Sequence, residues 1–177
     1  MSGAATASTF AAGASMNPSP VRCLILACGN TLRSDDGVGP WLANWAERHF
    51  HADPRIRVMF SQQWTPELAA DIAHASAVLF LDCSLAAAPG SVSLAPVAPP
   101  AAPEGLATHH LGAPQLLALS RELYDAVPGE ALLVAIGAGS TELGEHFSDA
   151  VAAALPQACR VIEDAVQRLL DARELPA

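Results

Sequence analysis

Apolar and polar positions sort this chain into two alternating kinds of stretch. Apolar runs at 21–28 (interrupted only by Arg22), 77–81 and 131–136 each end in polar or glycine-rich sequence. Runs of that length predict strands buried on both faces, as parallel strands are. Residues 56–60 alternate and predict a further strand, and 91–97 predict a short edge strand closed by Pro96. Helical spacing fills the intervals. Residues 39–50 place Trp41, Leu42, Trp45 and Ala46 on one stripe. Thr65-Pro66-Glu67 opens a helix running to Ala75, with Thr at the N-cap, Pro in the first turn and a carboxylate against the positive dipole end. Residues 113–124 set Leu116, Leu117, Leu119 and Leu123 on a core face, and 147–172 predict a final helix or two, broken or kinked at Pro156. Strands alternating with helices predict an α/β fold. We expect one domain over 21–177, a mostly parallel twisted sheet with helices on both faces (an α/β/α sandwich). There is no internal repeat.

Composition narrows the function classes. The 177 residues are 51% apolar, much of it alanine, and 5% aromatic. A net charge of −9 argues against a nucleic-acid partner, which needs clustered Lys and Arg. No apolar run approaches the roughly 20 residues needed to span a bilayer, so no membrane partner is expected. Cys23, Cys28, Cys83 and Cys159 show no CxxC pairing, which fits reduced thiols in a cytoplasmic protein. Cys23 and Cys28, five apart on one strand, point to opposite faces. Residues 1–20 are mostly Ala, Ser, Thr and Gly, without the basic residues of a secretory or mitochondrial leader. They are expected to form a disordered tail, with Met16 available as an alternative start.

Chemistry concentrates at strand ends. Gly29-Asn30-Thr31-Leu32-Arg33-Ser34-Asp35-Asp36-Gly37-Val38-Gly39 follows the first strand, where a parallel α/β sheet places its ligands. Asp82 ends another strand, and Thr108-His109-His110 follows a stiff connection containing Pro99, Pro100 and Pro103. If the first and third strands are neighbours, Asp36 and Asp82 converge and His109 can fold back over them. Two carboxylates and an imidazole suit a divalent metal such as Ni²⁺ or Zn²⁺ with open positions. Cys83 adjoins Asp82, but strand alternation points it the other way. Each residue also has a plainer reading. Asp35 or Asp36 can cap the following helix, Asp82 can bond loop amides, and His109 can cap the next helix or lie on the surface, with His110 the likelier bystander. The glycines can be ordinary turn residues. Neither GxGxxG nor GxxxxGK[ST] is present, and paired carboxylates repel phosphate.

The loop motif, Gly29-Asn30-x-Leu32-x-x-Asp35-Asp36-Gly37-x-Gly39 after a strand, resembles the signature of the [NiFe]-hydrogenase maturation endopeptidases. Four further segments match in order. Gln63-Trp64-Thr65-Pro66-Glu67-Leu68 resembles the family's Q-x-T-P-E-L, and Val78-Leu79-Phe80-Leu81-Asp82 its strand-ending aspartate. Thr108-His109 with Leu116-Leu117-Ala118-Leu119 resembles its T-H…L-L-A-L, and Leu143-Gly144-Glu145-His146-Phe147-Ser148 its G-E-x-L-S. The resemblance spans about 21–170 and implies a twisted, mostly parallel sheet between helices.

It also implies a specific job. The enzyme removes the C-terminal extension of a hydrogenase large-subunit precursor after nickel insertion, and is expected to act in the cytoplasm. By motif position the metal donors are Asp36, Asp82 and His109, with Asp36 and Asp82 catalytic and Gly29, Asn30, Asp35, Gly37 and Gly39 forming the supporting loop. Ni²⁺ would be presented by the substrate, and Zn or Cd can occupy the site in isolation. Water activated by metal or carboxylate would attack the peptide bond. No GxSxG or HExxH is present, so no acyl-enzyme is expected. Cys28, Trp64, Phe147 and the non-aromatic Gly139-Ser140-Thr141 depart from the family pattern without touching the proposed donors. Two other classes stay open: a nickel-dependent checkpoint that binds without cutting, and a small-molecule hydrolase, which would need a closed pocket. An edge near 91–97 could pair with an extended substrate tail.

Overall fold

The computed structural model describes residues 21–100 and 111–172. The expected tail at 1–20 and the expected donor His109 lie outside the described residues. The chain runs β1 (Cys23–Cys28), a 3-10 turn (Ser34–Gly37), α1 (Val38–His49), β2 (Ile56–Ser61), α2 (Leu68–Ala73), β3 (Ala77–Ser84), β4 (Val92–Pro96), α3 (Ala113–Tyr124), β5 (Glu130–Gly137) and α4 (Asp149–Asp171). The five strands form one sheet in the order β2-β1-β3-β5-β4. All pairs are parallel except β4–β5, so the expected edge strand is present and antiparallel.

Strand alternation divides the core into two layers. Ile25 and Ala27 of β1 and Leu79 and Leu81 of β3 face α1 and α4. Leu24 and Leu26 with Val78 and Phe80 face α2 and α3. Every residue of β1 is buried, as expected of a strand covered on both sides. Helices therefore lie on both faces, as the α/β/α reading requires. Among the described residues no helix is long and apolar enough to cross a membrane.

Several local expectations are corrected. Trp41 is 38% exposed and Leu123 is 59% exposed, because both lie just off the inward faces of their helices. In α1 that face is carried by Val38, Leu42, Ala43 and Ala46. α2 is only Leu68–Ala73, and its N-cap position is Glu67 rather than Thr65. The carbonyls of Thr65, Pro66 and Glu67 instead accept from Leu68, Ala69 and Ala70, a tighter i to i+3 turn leading into the helix. Pro156 does not divide the last helix; α4 is one element of 23 residues. A proline inside a helix costs on the order of 3 kcal/mol. The long apolar stripe from Val151 through Ala158, Ile162, Ala165 and Leu169 supplies the packing that offsets it.

This topology sets the carboxyl ends of β1 and β3 side by side, with Ala27 paired to Leu81. The loop after β1 and Asp82 at the end of β3 thus meet at one rim of the sheet.

Candidate active site

The loop after β1 is folded hard against its own strand. Gly29 has φ +145°, and a Cβ there would lie 1.9 Å from the Asp36 carbonyl oxygen. A Cβ on Gly39 would lie 2.0 Å from the Cys28 carbonyl oxygen. Only glycine permits these two approaches. Within the loop the Asn30 side chain accepts from the Leu32 amide at 3.0 Å, and the Asn30 amide donates to Asp36 Oδ2 at 2.9 Å.

The adjacent aspartates do different work. Asp35 is fully buried. Its carboxylate accepts from the amides of Gly139 (2.7 Å), Ser140 (2.9 Å) and Ser148 (2.7 Å), and from the Ser148 hydroxyl (2.8 Å). Burial pushes its carboxyl up, but these four bonds outweigh burial and hold it below the usual range. The same two segments are laced by backbone bonds, Ser34 to Gly144, Asp35 to Ser140 and Gly144 to Leu32. Asp35 is therefore a staple between loops rather than a helix cap, and α1 has no side-chain cap at all. Gly144 and Ser148, which the sequence motif carried without a role, are the staple's far end.

Asp36 turns to the cavity. Its Oδ1 accepts from the Cys83 thiol at 3.2 Å. Cys83 does point away from Asp82, as alternation requires, but that is the face over which Asp36 lies. Its exclusion from the site is corrected on that ground. Burial pushes the Cys83 thiol well above its ordinary value, and the Cys28 thiol up to about 12, so both stay protonated.

Asp82 is held by the amide of Cys83 on Oδ1 (2.8 Å) and by the indole N–H of Trp64 on Oδ2 (3.1 Å). Trp64 itself packs edge-to-face on Phe80, ring centroids 5.6 Å apart. The tryptophan that departs from the family pattern was expected not to touch the proposed donors; it is instead the side chain that orients Asp82, and that expectation is corrected. Asp36 and Asp82 open on one cavity of about 530 Å³, with Arg33, Cys83, Ser84 and Thr141 also in its wall. Among the described residues no three His, Cys, Asp or Glu side chains gather as a metal-holding cluster. The two carboxylates supply two hard oxygen donors, which suit a divalent cation with positions left open for other ligands.

Burial raises the Asp82 carboxyl to about 6, with the Asp36 charge adding and the Trp64 and Cys83 hydrogen bonds opposing. A carboxyl raised in the folded state favours the protonated form. Its contribution to stability is complete below the unfolded value and declines as pH rises through the folded value. Asp82→Asn should therefore gain about 2–3 kcal/mol relative to the parent between pH 4 and pH 8, which urea melts at both pH values will show. A difference that does not change with pH would contradict the assigned environment.

No protein-family model matches the chain, and no curated protein matches it. Solved structures do. The hydrogenase maturating endopeptidase HybD from E. coli is 22% identical, with a TM-score of 0.68 over 83% of this chain and 93% of that one. The hydrogenase 2 maturation peptidase from Thaumarchaeota archaeon SCGC_AB-539-E09 is 25% identical, with a TM-score of 0.60 over 82% and 98%. The [NiFe] hydrogenase maturation protease HybD from Thermococcus kodakarensis is 25% identical, with a TM-score of 0.58 over 81% and 98%.

Proposed function

We propose that this chain belongs to the hydrogenase maturation endopeptidase family and removes the C-terminal extension of a [NiFe]-hydrogenase large-subunit precursor once nickel has been inserted. The observation that carries this reading is the convergence of Asp36 and Asp82 on one cavity at the carboxyl ends of adjacent strands. In the proposed reaction the two carboxylates, with His109 as the third donor implied by the motif, complete the coordination of the nickel that the precursor brings. Nickel is thus part of the substrate, and a precursor without it lacks the anchor that holds the scissile bond over Asp82. Water attacks the peptide carbonyl, Asp82 accepts its proton, and the departing amine is protonated in turn. Trp64 keeps Asp82 aimed at the cavity. The free cysteines at 23, 28, 83 and 159 accord with work in the cytoplasm.

The test mixes the protein with nickel-loaded and nickel-free precursor and records intact masses. Loss of a C-terminal peptide from the nickel-loaded form alone is expected. Unchanged mass in both, with a stable complex to the nickel-loaded form, would replace the endopeptidase by a checkpoint that only binds.

A further inference from the structure

A second concavity lies on the other side of the 31–37 loop, between α1 and β2. It encloses about 620 Å³. Its apolar wall includes Trp41, Val58, Phe60 and Phe147. Phe60 is 64% exposed, a large ring left in water beside a half-exposed tryptophan. Trp41 and Phe147 meet edge-to-face at 6.4 Å. The charged groups in the wall are Glu47 and Glu145, with His146 beside them, and no arginine lines it. The chain as a whole contains no lysine. β2 is an edge strand whose outer side has no partner among the described residues. Thr31, Ser34 and Gly37 form one end of this groove, while Arg33 and Asp36 of the same loop face the carboxylate cavity.

We propose that the groove seats an extended, basic and apolar stretch of the precursor's C-terminal region. This rests on the endopeptidase reading and adds where the tail lies and which side chains are selected. Extended chain fits an unpaired strand edge, which supplies backbone bonds while alternate side chains enter the groove. Apolar side chains of the tail cover Phe60 and Trp41, and a basic side chain faces Glu47 and Glu145. A second copy of this chain is the poorer occupant, because its net charge of −9 would repel the acidic wall. The 31–37 loop is a wall of both the groove and the carboxylate cavity, so a tail seated here lies one loop away from Asp36 and Asp82.

The experiment uses two acetylated six-residue peptides, one alternating Val and Arg and one alternating Val and Glu, titrated at low salt against tryptophan emission. The arginine peptide should bind about fivefold more tightly, the effect of two exposed charge pairs. The E47R/E145R double variant should reverse that order. The variant is still net acidic, so a preference arising from overall charge would persist and only a local one can reverse. Trp41→Ala should weaken both peptides. Equal affinities, a preference unchanged in the charge-reversed variant, or self-association by light scattering in place of peptide binding would each overturn the proposal. Nickel-loaded precursor is assayed in parallel. Peptide selectivity without cleavage keeps the groove and removes the endopeptidase reading. Cleavage with the same KM in wild type and the charge-reversed variant removes the groove alone.

Discussion

Asp36→Asn is expected to abolish processing of the nickel-loaded precursor while leaving the fold intact. The amide has nearly the shape of the carboxylate, and its oxygen can still accept from the Asn30 amide or from the Cys83 thiol. The variant therefore loses at most one weak hydrogen bond, worth about 1 kcal/mol. What it removes is the negative oxygen offered to a cation. A charged donor cannot be replaced by a neutral one without loss of the interaction that holds the substrate's metal. Cleavage should fall by at least about a hundredfold, the scale on which removal of a positioned catalytic group is felt. Intact-mass time courses measure the rate, and circular dichroism with a thermal melt checks the fold. A folded Asp36→Asn protein that cleaves normally would sink the site assignment.

Asp35→Ala should do the opposite, destroying stability first. Four donors converge on that carboxylate in a fully buried position. Truncation strands them without acceptors, and breaking a buried charged network of this kind costs about 3–5 kcal/mol. A domain with a total stability of roughly 5–15 kcal/mol would be left marginal. Because hydrogen bonds hold the Asp35 carboxyl below its ordinary value, its stabilising effect is present above the unfolded value and lost as pH falls through the folded one. The deficit of Asp35→Asn against the parent should accordingly be large at pH 7 and shrink in acid, as urea melts will report. A deficit that is constant with pH would mean that packing, not the charge, is what Asp35 supplies.

The contrast between these neighbours marks how far sequence carries. β1, β3 and β5 were readable because a continuous apolar run ending in polar residues has few alternatives. The meeting of Asp36 and Asp82 was readable once the strands bearing them were taken as adjacent. What divides Asp35 from Asp36 was not, since the deciding partners stand more than a hundred positions away, at Gly139, Ser140 and Ser148. Local spacing offers both residues the same cap. Cys83 was misplaced for a related reason. Alternation gave its direction correctly, but only the path of the loop after β1 shows that Asp36 waits on that face. Helix faces were read to within one position, and Trp41 and Leu123 fell just outside them.

The loop after β1 is laced to the segment before α4. Gly29, Asp35 and the backbone bonds at Ser34 and Gly144 together leave that loop little freedom to adapt. The gap between Asp36 and Asp82 is then dictated by the protein and not by its guest. In the proposed reaction a rigid pair of jaws would work as a gauge: the substrate's ion would either match the opening or be turned away, and little ordering entropy would be lost when the right one arrived.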